Sequence, residues 1–318
     1  MTERSFWAEA SSKRFSVQLV KEIGRLKKER NAVILAHNYQ IPEVQDIADF
    51  VGDSLGLSIA AAGTDADVIV FCGVYFMAET AKILSPGKTV LIPDSKAGCP
   101  MADMINAGQL RTLKAQHPQA RVLCYVNTTA EVKAECDLCC TSANAIRMVT
   151  EVLKDEKEVI FVPDQYLADY VTERTGRDFI LWQGYCPTHA KILPEQILEQ
   201  KRLHPAARVI AHPECTRPVR HLADQVLSTE GMCRYVKESG SDEMIVATEL
   251  GIIHRLEKEN PGKTFYPVSA QALCPNMKRI NLEKVLWSLE DMEYPVEVPE
   301  DIARQARGSI EKMLKYFD

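Results

Sequence analysis

The stretch KAGCPMAD at residues 96–103 contains a Cys-Pro step that the chain repeats twice. The step recurs in QGYCPTHA at 183–190 and in ALCPNMK at 272–278. The three cysteines, Cys99, Cys186 and Cys274, are therefore separated by 87 and 88 residues. Nearly equal spacing at this length predicts an internal structural repeat.

Two other sets of residues keep the same period. Each of three short apolar runs ends in a polar ring, at His37, Tyr125 and His212. A hydroxyl residue follows 17 positions later in every case, at Ser54, Ser142 and Thr229. The chain is therefore predicted to contain three copies of one structural unit.

The repeat predicts how the chain is divided. Residues 16–30 have apolar positions at helical spacing and a basic end, which is typical of an amphipathic helix. The stretch from Pro299 to the end of the sequence opens with this proline and has the same periodicity, which is typical of a closing helix. The predicted segments are a leader helix at 1–31, repeats at 32–117, 118–204 and 205–290, and the closing helix at 291–318.

Each repeat alternates short apolar strands with helices; in the first, strands are predicted at 32–37, 68–73 and 89–93 and a helix at about 43–51. This alternation predicts α/β units with parallel sheets covered on both faces. We expect three homologous three-layer α/β/α sandwich domains, related by pseudo-threefold symmetry around a central active site. Ligands of such sheets bind at the carboxyl ends of the strands, where all the repeated rings lie.

The composition argues against several partners. The 318 residues carry 38 Lys and Arg against 44 Asp and Glu, a formal charge of −6. This balance indicates neither a nucleic acid nor an anionic membrane as partner. No run of 18 apolar residues occurs, and the N-terminal residues lack the apolar core of a signal peptide. We therefore expect a cytoplasmic protein.

Ten cysteines in a reducing compartment do not predict a disulfide scaffold. Cys72 and Cys124 lie inside apolar strands and are expected to be small buried hydrophobes. The run CDLCC, from Cys136 to Cys140, has the spacing of a metal-ligand pair, but no second pair stands near it. The function of its cysteines stays open.

Three thiolates from three separate loops suit a metal cluster at a junction better than a zinc finger, which draws its ligands from local pairs. A cubane iron–sulfur cluster normally takes four thiolates, so three would leave one iron open as a Lewis acid. Two alternatives remain: Cys-Pro marks a repeated buried turn, or the cysteines belong to a zinc site completed by His189.

The other repeated residues suggest ligand binding. Ser54, Ser142 and Thr229 either N-cap their helices or bind anions such as phosphate and carboxylates at helix starts. His37 and His212 are acid–base candidates because imidazole titrates near neutral pH. Glu214 is a candidate base. Further hydrogen bonds to a carboxylate or oxyanion are expected from Tyr39, Tyr125 and Asn127.

Eight motifs together resemble the quinolinate synthase family of bacterial NAD biosynthesis. They are AHNYQ at 36–40, GDSL at 52–55, GCPMAD at 98–103, YVNT at 125–128, CCTSANA at 139–145, GYCPTH at 184–189, AHPEC at 211–215 and CPNMK at 274–278. The chain departs from the family at 227–231, where LSTEG replaces a Gly-Ser-Thr-Ser-Gly run. The resemblance therefore supports the third anion site, at Thr229, less than the other two.

The resemblance implies three related α/β/α domains around one oxygen-sensitive [4Fe-4S] cluster, held by Cys99, Cys186 and Cys274. It implies condensation of iminoaspartate with dihydroxyacetone phosphate to quinolinate, with release of phosphate and two waters. Our hypothesis is that His37, Tyr39 and Glu214 carry the proton transfers. The family's substrate-binding positions correspond to His37, Tyr39, Ser54, Tyr125, Asn127, Ser142, His212, Glu214 and Thr229. An aspartate oxidase or dehydrogenase is the expected functional partner, because iminoaspartate is unstable.

Three rival functions remain. A hydratase or dehydratase of a small hydroxy acid would use the same open iron without a triose phosphate. An iron–sulfur sensor would need an interaction surface, and no basic patch or helix-turn-helix pattern supplies one. A zinc-stabilised structural protein would leave the repeated His, Tyr and Ser positions without a function.

Overall fold

The computed structural model describes residues 3–316, with side chains described from residue 16. The strands are β1 Ala32–His37, β2 Phe50–Gly52, β3 Val68–Cys72, β4 Thr89–Leu91, β5 Arg121–Tyr125, β6 Leu138–Cys140, β7 Val159–Val162, β8 Ile180–Leu181, β9 Arg208–Ala211, β10 Gln225–Val226, β11 Glu243–Ala247 and β12 Thr264–Pro267. The helices are α1 Glu3–Glu29, α2 Pro42–Ile47, α3 Ser54–Gly63, α4 Tyr75–Leu84, α5 Ala107–Gln116, α6 Ala130–Ala134, α7 Ala145–Arg147, α8 Gln165–Thr175, α9 Pro194–Leu203, α10 Arg217–Arg220, α11 Thr229–Glu238, α12 Ile252–Glu259, α13 Leu282–Asp291 and α14 Glu300–Leu314.

The strands form three separate parallel sheets of four strands with the same internal order. The orders are β2-β1-β3-β4, β6-β5-β7-β8 and β10-β9-β11-β12. Helices flank each sheet, so the predicted fold class of three α/β/α layered units is confirmed. We call these the first, second and third unit.

The central strands explain why the sheets form. β3 has the sequence VIVFC, and all five of its side chains are buried; β7 is buried along its whole length. Near-continuous apolar runs of β-branched residues are what a parallel sheet covered on both faces requires. The expectation that Cys72 is a buried hydrophobe is confirmed, because it is 0% exposed.

One strand of each unit was missed by the sequence patterns. A helix was predicted at about 43–51, but α2 ends at Ile47 and the chain enters β2 at Phe50. The equivalent strands β6 and β10 have three and two residues. Such short edge strands have too few residues to show an alternating pattern, and only pairing with β1, β5 or β9 defines them.

A repeated carboxylate supports the central strand of every unit. An aspartate just before the short edge strand accepts the backbone N–H of a residue near the start of the central strand. The three bonds join Asp49 to Ile34, Asp137 to Val122 and Asp224 to Val209, each at 2.8 Å. These aspartates keep the 88- and 87-residue period of the chain.

Terminal segments cover the units. α1 packs on α13 and β1, and α14 packs on α4, α6 and β6. Between α13 and α14 the backbone runs antiparallel to β4, where Ile92 and Tyr294 exchange N–H···O bonds of 3.0 and 3.3 Å. This segment covers the edge of the first sheet, which protects it from pairing with another chain. No helix in the stretch from 3 to 316 is long and apolar enough to cross a membrane.

Candidate active site

One cavity lies where the three units meet, at the carboxyl ends of their strands. About 680 Å³ of space free of protein atoms lies there, including solvent space at its opening. The predicted site residues all line it: His37, Tyr39, Ser54, Cys99, Tyr125, Asn127, Ser142, Cys186, His212, Glu214, Thr229 and Cys274. The repeat thus places matching positions of three units around a single space.

Each of the three Cys-Pro steps begins the same local turn. A single turn of 3₁₀ helix follows, at Ala102–Met104, His189–Lys191 and Met277–Arg279. The backbone N–H of the third residue after each cysteine is a hydrogen-bond neighbour of its thiol. The Cys-Pro step is therefore a repeated turn, and the same turn aims a thiol into the cavity.

The environment of these thiols suits a metal centre. Burial, with a smaller effect from the nearby Cys274, raises the pKa of Cys99 to about 12. Burial also raises the pKa of Cys186 and of Cys274 above the usual value. Metals bind the thiolate form, so three mutually repelling thiolates at this place need a cationic partner to be stable. The donor set fits such a partner.

Glu214 is the electrostatic centre of the cavity. Its carboxylate accepts a hydrogen bond from the Tyr125 hydroxyl and lies 2.7 Å from His189 Nδ1. Burial acts to raise the pKa of Glu214, but His189 and His212 outweigh this effect and hold it below the usual value. Glu214 is therefore a carboxylate at neutral pH.

Glu214 also belongs to a group of metal-type ligands. Cys186, His189 and Glu214 offer ligand atoms that all lie within 4.8 Å of one another. His189 Nδ1 is 3.2 Å from the Cys186 sulfur. These three residues could hold a metal ion.

His37 and His212 have equivalent geometry in the first and third units. Nδ1 of each ring accepts the backbone N–H of the residue two positions on, at 3.1 Å from Tyr39 and 3.3 Å from Glu214. Burial lowers the pKa of each histidine to about 3. Both rings are therefore neutral with the proton on Nε2, so each has an N–H that can donate to a ligand.

Tyr39 approaches the cavity from the first unit. Its hydroxyl is 2.6 Å from Thr248 Oγ1 and 3.5 Å from His189 Nε2. Burial raises the pKa of Tyr39 well above the usual value, so its phenol is neutral. Gly251 packs directly on this segment, because an added Cβ would lie 2.7 Å from the carbonyl carbon of Tyr39.

The hydroxyl residues at the helix starts are not caps. Asp53 caps α3 by accepting the N–H of Gly56 at 2.8 Å, and Ser228 caps α11 by accepting that of Gly231 at 3.2 Å. Ser54 and Thr229 are the first helical residues. The N-cap hypothesis is therefore wrong for both, because the preceding residue does the capping and leaves their hydroxyls to face the cavity.

The second unit differs at this position. The short helix α7 begins at Ala145, three residues after Ser142, and Asn144 precedes it. The backbone N–H of Thr141 donates to Asn144 Oδ1 at 2.8 Å, which shapes the turn around Ser142. Asn127 also faces the cavity from this unit, and its buried Oδ1 has no hydrogen-bond partner among the described residues. A ligand donor could complete it.

Several cavity residues were missed by the sequence patterns. Glu249 is 0% exposed, accepts the backbone N–H of Cys274 at 2.9 Å and lies 2.8 Å from Lys278. Thr248 bonds Tyr39 and His189. Both residues follow β11, so the rule that ligands bind at strand ends, applied to the third strand of each unit, would have found them.

Three further cysteines form a buried group inside the second unit. Cys124, Cys139 and Cys140 are 0% exposed, which confirms the buried position expected for Cys124. Their pKa values are raised well above the usual value, by burial for Cys124 and Cys140 and mainly by a bond with Cys124 for Cys139. None of the cysteines of the CDLCC run lines the cavity.

The fold and the cavity define a class of enzyme in which three α/β/α units enclose thiol, imidazole and carboxylate groups. The family model described as "Quinolinate synthetase A protein" matches residues 21–315. The chain belongs to this family of enzymes. It is 58% identical over 294 residues to the quinolinate synthase of Dehalococcoides mccartyi (strain CBDB1), covering 92% of this chain and 97% of that protein. It is 55% identical over 296 residues to quinolinate synthase 1 of Methanosarcina acetivorans, covering 93% and 97%.

Proposed function

We propose that this enzyme is a quinolinate synthase of NAD biosynthesis that condenses iminoaspartate with dihydroxyacetone phosphate. The products are quinolinate, phosphate and two waters, which account for all the atoms of both substrates. The observation that carries the proposal is the convergence of three cysteines and three hydroxyl residues on one cavity. The named relatives support the same activity.

The cofactor of the proposal is one [4Fe-4S] cluster held by Cys99, Cys186 and Cys274. The N–H groups beside each sulfur are of the kind that tune such clusters. With three thiolate ligands, the bound cluster supplies a Lewis acid through its open iron. The protein residues around it bind the substrates and move protons.

Proton transfer falls to Glu214, His37 and Tyr39. Glu214 is ionised and can accept a proton from a substrate carbon or nitrogen, with Tyr125 and His189 holding its oxygens in place. His37 is neutral and presents Nε2–H, so it can donate a hydrogen bond to a substrate oxygen. Tyr39 is a neutral phenol that can give a proton to a leaving hydroxyl.

Anionic groups of the substrates are held by the hydroxyl residues. Ser54 and Thr229 lie at the first turns of ten-residue helices, where free N–H groups and the helix dipole favour a phosphate or carboxylate. Ser142 faces the cavity from the second unit. His212 and Asn127 complete the polar lining as a hydrogen-bond donor and acceptor.

Because iminoaspartate hydrolyses readily, an aspartate oxidase or dehydrogenase must form it shortly before this enzyme uses it. All ten cysteines are free thiols, which suits a reducing compartment. We therefore place the enzyme in the cytoplasm.

The test is chemical analysis of protein purified without oxygen. The wild type is expected to contain about four iron and four sulfide per chain, the stoichiometry of a cubane cluster. Cys99→Ser, Cys186→Ser and Cys274→Ser should each lose the cluster and the formation of quinolinate. Cys215→Ser, which changes a buried thiol outside the ligand set, is the matched control and should keep both.

A zinc site is the second candidate, because Cys186, His189 and Glu214 already lie close together. Zinc without sulfide in the purified wild type would establish it and overturn the cluster. Dehydration of a small hydroxy acid without triose phosphate would instead favour the hydratase. A cluster without either activity would favour the sensor.

A further inference from the structure

Arg255 of α12 reaches from the third unit into the first. Its Nη1 donates to Asn38 Oδ1 at 2.9 Å, directly after β1. The same guanidinium pairs through two nitrogens with Glu230, at 2.8 and 3.0 Å, and its Nε bonds Glu259 at 2.6 Å. Its side chain is 16% exposed. Four hydrogen bonds thus hold one arginine in a fixed orientation between two units.

This arginine determines which way the Asn38 amide faces. Asn38 is 0% exposed, so its amide must find partners inside the protein. A guanidinium only donates hydrogen bonds, and the amide oxygen must therefore face Arg255. The amide nitrogen then faces the opposite way and donates to Thr229 Oγ1 at 2.9 Å.

The orientation of the Asn38 amide in turn determines how the Thr229 hydroxyl forms hydrogen bonds. Because its oxygen accepts from Asn38, the hydroxyl proton is not used in that contact and is free to donate elsewhere. Thr229 is 2% exposed and lines the cavity. A buried donor binds an anionic oxygen strongly, because hydrogen bonds to charged groups are stronger than those between neutral groups.

We propose that Arg255 is a positioning residue that, through Asn38, makes the Thr229 hydroxyl a donor to an anionic group of the substrate. The inference rests on the proposed function of the cavity. It also gives a role to Glu230, which stands in the segment where the chain departs from the family pattern. Glu230 holds the guanidinium that sets the chain of hydrogen bonds.

Asn38→Asp tests the direction of these bonds. The introduced carboxylate still accepts from Arg255, so the contact between the units is kept. It cannot donate to Thr229, whose hydroxyl must then donate to the carboxylate and is lost to the substrate. The KM of one anionic substrate should rise about tenfold, the loss expected for one hydrogen bond to a charged group, with a smaller change in kcat.

The two substrates distinguish the group that Thr229 binds. A higher KM for dihydroxyacetone phosphate assigns the phosphate, and a higher KM for iminoaspartate, formed from oxaloacetate and ammonium, assigns a carboxylate. The added negative charge by itself weakens the binding of both anionic substrates to a similar extent, whereas loss of the Thr229 donor raises one KM selectively. KM values that change by the same factor, or that both stay within twofold of the wild type, would overturn the inference.

Two further variants test the contribution of Arg255 itself to the KM values. Arg255→Lys keeps the charge but loses the planar fork, so the amide is no longer fixed and the same KM should rise by a smaller factor. Lys258→Met is the matched control. Lys258 lies on the same helix and also bridges to the first unit, at 2.6 Å from Asp46, but it is 62% exposed. Its loss should leave both KM values unchanged.

Failure of the proposed function gives a different result. It shows in the wild type, as an absence of quinolinate, whereas failure of the inference shows only in the variants. If the wild type forms no quinolinate, calorimetry of the cluster-containing proteins with inorganic phosphate and with oxaloacetate still decides the inference. One of these two anions should bind Asn38→Asp about tenfold more weakly than the wild type, and more so than the other anion. Affinities that change equally for both anions, or no binding of either anion by the wild type, would overturn it.

Discussion

The first and third units have a histidine where the second has a tyrosine. His37 and His212 make the same bond to the backbone two residues on, and both are neutral. Tyr125 instead donates across the cavity to Glu214 of the third unit. The three strand ends are equivalent in backbone position but not in chemistry. The repeat thus supplies three positions around one cavity, and single substitutions in each unit give them different functions.

The largest effect is expected at Tyr125, because its hydroxyl contacts the ionised Glu214. Tyr125→Phe should lower kcat about 100-fold, a loss typical of removing one hydrogen-bond donor from a preorganised site. Steady-state formation of quinolinate measures it. Tyr170→Phe is the control in the same unit, since the Tyr170 hydroxyl donates to the Val226 carbonyl at 3.2 Å, outside the cavity. Equal losses for the two variants would mean that Tyr125 is only structural.

The next effect concerns the contact between the first and third units. In Gly251→Ala the added Cβ would lie 2.7 and 2.8 Å from backbone carbons of Tyr39, which cannot move freely. We expect the free energy of unfolding to fall by about 3 kcal/mol, as for an overpacked core, and kcat to fall because Tyr39 is displaced. Urea unfolding and kinetics measure the two effects.

Gly240→Ala is the matched control for this substitution, because nothing lies within 4 Å of its added Cβ. It should change neither stability nor kcat by a measurable amount. A neutral result for Gly251→Ala itself would show that the two units can separate slightly at Tyr39 without loss of function.

The difference between histidine and tyrosine also predicts the pH dependence of stability. The pKa of His37 and of His212 is about 3 in the folded protein and near 6.5 when unfolded. The unfolded chain therefore binds more protons between these values, so stability is highest above pH 6.5 and falls as the pH decreases. Each histidine should contribute a loss of about 2 kcal/mol between pH 7 and pH 5.

Urea unfolding at both pH values tests this expectation. His37→Asn, whose Oδ1 can replace Nδ1 as acceptor for the Tyr39 N–H, should reduce the difference between the two pH values by about 2 kcal/mol. Tyr125→Phe should leave the difference unchanged, because a phenol does not titrate in this range. An unchanged difference in His37→Asn would mean that the ring is protonated in the folded state.

Much of the fold was predictable because the internal repeat is visible in the sequence. Three matched sets of residues, including the Cys-Pro steps, identified equivalent strand ends, and long apolar runs such as β3 identified parallel strands. The edge strands were not predictable, because two or three residues form a strand only through their neighbours. The sets also identified which side chains would share a cavity, since parallel strands end at one edge of a sheet.

The electrostatic interactions around the cavity were not predictable. Asp164 shows why: it follows β7, and its buried Oδ2 has no partner within residues 3–316. Burial and the nearby Glu214 raise the pKa of Asp164 well above the usual value. No residue type or spacing in the sequence indicates this, because the proximity arises from the packing of the second unit against the third.

The smallest effects are expected where the three units are alike. Asp49, Asp137 and Asp224 each accept one backbone N–H of a central strand at 2.8 Å, and each side chain is about one-third exposed. Replacement by Ala should lower the free energy of unfolding by about 1 kcal/mol in each case, the usual value of one hydrogen bond, without changing kcat. Urea unfolding of the three variants measures it. Three similar losses would show that the units remain energetically equivalent outside the cavity, whereas a loss confined to one unit would show that the repeat has diverged in its framework as well as in its chemistry.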